Sequence, residues 1–148
     1  MNYFELFGLP EEVDLNHLNL QKAYFSLQKS MHPDKFTNAS SVEREAATES
    51  AAVINKAYKI LSNKFKRAEY LIGLHTSLEV QLPDDFMEQT FSWHEKLLDG
   101  EDLSTTLNAL EESLWDELRV QAQSCAWAPS AICLAKIRMV NNISGNQL

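Results

Sequence analysis

Leu20, Tyr24, Leu27 and Met31 follow one another at intervals of four, three and four residues, the stripe of an α-helix with one face turned to a core. Lys22, Ser26 and Lys29 occupy the opposite side, toward solvent or a partner. The stripe predicts a helix from an Asp14 N-cap to about Met31, stopped by Pro33. Ahead of it a short helix, Tyr3 to Phe7, is closed by Gly8 and the Pro10 that follows. Behind it a polar loop, His32 to about Ser40, leads into a third helix over Val42–Leu61, opened by the capping-box spacing of Ser40 and Glu43. Ala47, Ala51, Ile54, Tyr58 and Leu61 form its packing face, and Ala68 to Leu74 reads as one further helical piece.

Composition turns loop-like and then acidic over residues 76–84, which predicts a linker between a domain at 1–75 and another at 85–148. Beyond it the pattern predicts three helices, about Asp85–Leu98, Leu103–Trp127 and Pro129 or Ser130 to Ile143, with turns at Asp99-Gly100 and Pro129. Leu103, Leu107, Leu110, Leu114 and Leu118 supply a bundle seam, and Phe86, Trp93 and Leu97 an inward face for the first of the three. No stretch alternates with period two. The expected fold class is all-α: an antiparallel helix hairpin with a polar loop at its tip, followed by a three-helix bundle.

Charge divides the chain at the same place. Residues 1–75 hold nine acids and nine bases, and residues 76–148 hold twelve and four, so the second part carries all of the net charge of −8. Nucleic acid and anionic membrane are bound through Lys/Arg surplus and are excluded as main partners. The segment Met1-Asn2-Tyr3-Phe4-Glu5 has no signal-peptide character, and no stretch reaches the ~20 apolar residues of a membrane span, so a cytoplasmic protein is expected. Lys56, Lys59, Lys64, Lys66 and Arg67 form a local basic cluster. Cys125 and Cys133, eight apart, lack zinc-knuckle spacing and read as two small core-facing residues; no metal or other cofactor is expected.

The candidate chemistry is His32-Pro33-Asp34, in the loop between the second and third helices. A His and an Asp two apart can form an acid–base pair, but no nucleophile or metal set accompanies them, and the chain is read as non-enzymatic. Four stations give the tripeptide its context: Tyr3-Phe4-Glu5-Leu6-Phe7-Gly8-Leu9, Leu20-x-Lys22-Ala23-Tyr24-x-x-Leu27, His32-Pro33-Asp34-Lys35-Phe36 and Ile54-Asn55-Lys56-Ala57-Tyr58-x-x-Leu61. Together they resemble the J-domain. The resemblance implies a co-chaperone whose His32, Pro33 and Asp34, with Lys35 beside them and Lys22 and Lys29 on the preceding helix, engage a DnaK-class chaperone and drive its ATP hydrolysis. A stiff loop presenting a carboxylate to a chaperone arginine, and a positive face against an acidic groove, suit that role.

Arg67-Ala68-Glu69-Tyr70-Leu71, then Phe86-Met87-Glu88-Gln89 and Trp93-His94-Glu95-Lys96-Leu97, and finally Lys136-Ile137-Arg138-Met139-Val140 extend the likeness along the chain. The whole resembles the dedicated J-protein of bacterial iron–sulfur cluster assembly, the HscB type. That implies two partners, the specialised chaperone HscA and the cluster scaffold protein IscU. It also implies a scaffold surface of Met87, Phe91, His94 and Glu95, with Arg138 and Met139 on the last helix as further candidates. The other reading is a general J-domain adaptor whose second domain carries a different client.

Overall fold

Helices account for all regular structure among the described residues: α1 (Tyr3–Phe7), α2 (His17–Met31), a 3-10 turn (Pro33–Phe36), α3 (Ser41–Ser62), α4 (Lys64–Gly73), α5 (Asp84–Leu98), α6 (Ser104–Gln123) and α7 (Trp127–Ser144). This computed structural model describes residues 1–145 and 148, and the side chain of Pro33 lies outside the described residues. The chain falls into two compact units, residues 1–67 and 68–148, divided within α4.

In the first unit α2 packs on α3, with α1 against both helices and the 3-10 turn against α3. Helix α1 is short enough to need both its caps. Asn2 accepts the Glu5 N–H at 2.9 Å while Glu5 returns a carboxylate to the Asn2 N–H at 3.1 Å, and Gly8, at φ 65°, closes the other end. Phe4, Phe7, Val13, Leu20, Ala47, Ile54, Ala57 and Leu61 make the core. Across the hairpin the Tyr24 hydroxyl donates to Asn55 Oδ1 at 2.7 Å and accepts from Gln28 Nε2 at 2.7 Å, and its ring stacks on Tyr58 with centroids 4.0 Å apart.

Helix α2 starts later than its Asp14 cap would have it. Asn16 holds the start instead, its Oδ1 accepting from the Leu18 and Asn19 N–H groups at 2.9 and 3.1 Å. Helix α4 starts earlier than Ala68, because Asn63 Oδ1 accepts from the Lys66 N–H at 2.9 Å. Arg67 therefore leaves the basic cluster and is buried: its Nε donates to the Val13 carbonyl at 2.7 Å and its Nη1 to the Leu61 carbonyl at 2.6 Å. Burial draws the guanidinium below its ordinary value and Asp14 opposes the shift. One side chain ties the loop after α1 to the end of α3.

In the second unit α6 and α5 both pack on α7. Leu103, Leu107, Leu114 and Leu118 are buried, as are Ala131, Leu134, Ile137 and Val140 of α7. Buried Asn141 is satisfied by donating to Glu111 Oε1 at 3.1 Å and to the Ile137 carbonyl at 2.9 Å. Cys133 is buried beside the Leu114 carbonyl, and desolvation with Glu117 nearby pushes its thiol up to about 12. Cys125 does not share that environment; it is exposed, in a left-handed turn at φ 57°. That turn ends α6 at Gln123, and α7 begins at Trp127, so Pro129 lies in the first helical turn, where a missing N–H costs nothing. Trp127 stacks on His75, centroids 4.1 Å apart.

Helix α5 has two distinct faces. Phe86, Thr90 and Trp93 turn inward, with Lys136 of α7 5.5 Å over the Phe86 ring, while Leu97, in the last turn, is exposed. Met87, Phe91, His94, Glu95 and Leu98 lie on the other face.

Arg67→Ala strands two buried carbonyls and should lower the unfolding free energy by about 2–4 kcal/mol in urea melts, with Arg67→Lys losing less because one carbonyl stays within reach. On α5, Trp93→Ala should cost about 3–5 kcal/mol. Phe91→Ala should stay within about 0.5 kcal/mol of wild type, as a surface position does. Equal costs at the two positions would mean that the faces of α5 are assigned wrongly.

Candidate functional site

The residue before a proline is driven to extended backbone, and His32 obeys at φ −63° and ψ 134°, ending α2. Pro33 then opens the 3-10 turn, closed by the Lys35 N–H donating to the His32 carbonyl at 3.0 Å. His32 caps that turn with its own ring: Nδ1 accepts from the Asp34 N–H at 3.2 Å. Asp34 Oδ2 also comes within 3.4 Å of Nδ1. Both cannot be hydrogen bonds to one nitrogen in one protonation state. The shorter contact is the one that caps the turn, and the carboxylate is a close neighbour of the ring.

The result is a turn that holds Asp34 outward. Its carboxylate side chain is 86% exposed and that of His32 55% exposed. Lys35 is exposed next to them, and Lys22 and Lys29 are exposed on α2. Lys29 lies in the last turn of α2, where a cation complements the helix dipole. The structure thus brings His32, Asp34 and Lys35 together on one turn and places both lysines on the helix that feeds it. This arrangement can recognise a cationic partner group at Asp34 and an acidic surface along α2.

The second candidate surface lies on the outward face of α5. Phe91 is 64% exposed, Met87 is half-buried, and His94 and Glu95 are exposed. Leu98, one helical turn beyond His94 and Glu95 on the same face, is 87% exposed. Sequence reading passed over it as the end of a helix; its place at i+7 from Phe91 was the available signal. Two large apolar side chains on one stripe are thus held in water, an arrangement of the kind a partner helix or groove can cover.

Arg138 and Met139 do not extend that stripe in the same way. Met139 is half-buried on α7, and Arg138 is ion-paired with Glu69. With Leu78, Glu79, Val80, Ala131, Leu134 and Ala135 this pair lines a hollow of about 430 Å³, to which α5 contributes nothing. Among the described residues no cluster of three His, Cys, Asp or Glu could hold a metal ion, and no helix is long and apolar enough to cross a membrane.

Residues 2–70 match the family model of the DnaJ domain. Along its whole length the chain is similar to the co-chaperone protein HscB homolog of Aliivibrio salmonicida, 31% identical over 97% of this chain and 93% of that protein. It is also similar to that of Vibrio cholerae, 33% identical over 95% and 91%. Among solved structures the chaperone HscB from Vibrio cholerae superposes with a TM-score of 0.79 at 30% identity, covering 98% of this chain and 94% of that one. Human co-chaperone protein HscB, at 24% identity and a TM-score of 0.83 over 98% of this chain and 79% of that one, shares the fold. With the DnaJ domain carried on the α2–α3 hairpin and the likeness continuing through the helical unit beyond it, this chain belongs to the HscB family of co-chaperones.

Proposed function

We propose that this protein stimulates the ATPase of a specialised DnaK-class chaperone of the HscA type and delivers to it the iron–sulfur cluster scaffold protein IscU, so aiding the maturation of iron–sulfur proteins. Residues 1–75 would serve the chaperone, residues 85–148 the scaffold, and 76–84 would join them. The observation that carries the reading is Asp34, a carboxylate 86% exposed on a turn whose backbone is fixed by its own neighbour His32. A preordered carboxylate loses little conformational freedom when it accepts bidentate bonds from an arginine. Lys22, Lys29 and Lys35 would add attraction to an acidic groove, effective over the ~8 Å that physiological salt allows.

The scaffold half rests on the outward stripe of α5. Phe91 is the aromatic anchor, Met87 and Leu98 extend the apolar area along the helix, and His94 and Glu95 supply polar contacts. Likeness over nearly the full length of HscB relatives favours this pairing over a general adaptor, which would share only the first 70 residues or so.

An ATPase assay with the HscA-type chaperone and IscU tests both halves. Asp34→Asn keeps the shape and removes the charge; stimulation should collapse with helical circular dichroism unchanged, and full stimulation would contradict the chaperone role. Met87→Ala with Phe91→Ala should retain stimulation without scaffold and weaken IscU capture by about 2–4 kcal/mol. Undiminished capture would put the scaffold surface elsewhere on the chain.

A further inference from the structure

The outward face of α2 is mixed in character. At 100° per residue, Leu18, Lys22, Phe25 and Lys29 fall within one narrow stripe, directly opposite the core stripe of Leu20, Tyr24, Leu27 and Met31. Leu18 is 58% exposed and Phe25 63% exposed, so neither serves the core of its own unit. The Phe25 ring lies 5.7 Å from that of Tyr24, tilted by 51°, which gives it a neighbour on the hairpin side and leaves its outer surface in water.

A single exposed apolar residue needs no explanation. Phe25 differs because of its setting. It stands one turn from Lys22 on one side and from Lys29 on the other, on the helix that ends in the His32-Pro33-Asp34 turn. A surface complementary to this stripe must be acidic at two points and apolar between them.

We propose that Phe25, flanked by Lys22 and Lys29, is an apolar anchor and a specificity determinant that enters a hydrophobic spot within the otherwise acidic docking groove of the chaperone. The proposal rests on the chaperone reading above and adds to it a contact that salt does not screen. Lysines steer the encounter and lose their effect as ionic strength rises. Burial of an aromatic ring is indifferent to salt on that scale and slows dissociation. A groove without the apolar spot would leave the ring stranded among carboxylates, so Phe25 selects among chaperones as well as adding affinity.

The test is the concentration of this chain giving half-maximal stimulation of the HscA-type chaperone, at low and raised KCl, for wild type, Phe25→Ala and Phe25→Lys. For Phe25→Ala that concentration should rise by about tenfold at both salt levels while maximal stimulation is kept, as for loss of a binding anchor. Phe25→Lys should dock well only at low salt. Phe25→Ala matching wild type, with Asp34→Asn still inactive, overturns this proposal and leaves the chaperone reading standing. A wild type that stimulates no chaperone overturns both. Sedimentation giving a wild-type dimer and a Phe25→Ala monomer overturns it as well, assigning the stripe to a second copy of the chain.

Discussion

The first unit depends on one polar clasp between α2 and α3. Helices this short are marginal alone and gain their stability from packing. The buried side chains of the two helices, Leu20 on one and Ala47, Ile54 and Ala57 on the other, are apolar and make non-directional contacts, whereas hydrogen bonds are directional. The Tyr24 hydroxyl, shared between Asn55 and Gln28, with its ring on Tyr58, fixes how far α2 has advanced along α3. Pro33 decides where α2 ends in the sequence, and that register decides where the following turn at Asp34 comes to lie along α3. Two of the four sequence stations that carry the likeness to J-domains, around Tyr24 and around Asn55 and Tyr58, thereby acquire a physical reason.

The Arg67-Ala68-Glu69-Tyr70-Leu71 run works in a comparable way on both sides of the division in the chain. Arg67 secures two carbonyls within the first unit, and Glu69 holds Arg138 within the second. Arg67, being buried, is not available to a partner in the way a surface lysine is. Two of the exposed surfaces carry the candidate residues: the exposed side chains of α2 with the following turn, neutral to basic, and the outward face of α5 in the acidic half. Each carries large apolar side chains in water, Phe25 on one and Phe91 with Leu98 on the other.

Much of this was legible in the chain. Helix α1 runs over the residues its pattern predicts, since Gly8 and Pro10 leave no alternative. The leucine seam of α6 is buried at four of its five positions, Leu110 being half-buried. What escaped the pattern has specific causes. Asp14 and Asn16 are both good capping residues two apart, and only the packed hairpin chooses between them. Burial of Arg67 is invisible to a rule that puts arginine at the surface. Pro129 reads both as a turn marker and as a possible first residue of the last helix, and the helix starts two residues before it because proline fits anywhere in a first helical turn. The His32-Pro33-Asp34 motif was plain, whereas the capping of Asp34 N–H by His32 Nδ1 depends on a ring orientation that residue order does not encode.

The dependence of the docking turn on the clasp is open to one direct measurement, the chaperone stimulation given by Asn55→Ala at a temperature where its helical circular dichroism equals that of wild type. The substitution removes the acceptor shared by Tyr24 and Gln28 and leaves every residue of the turn and of the lysine face in place. If the register of α2 sets the turn, stimulation falls while helix content holds. Stimulation equal to that of wild type would contradict that dependence.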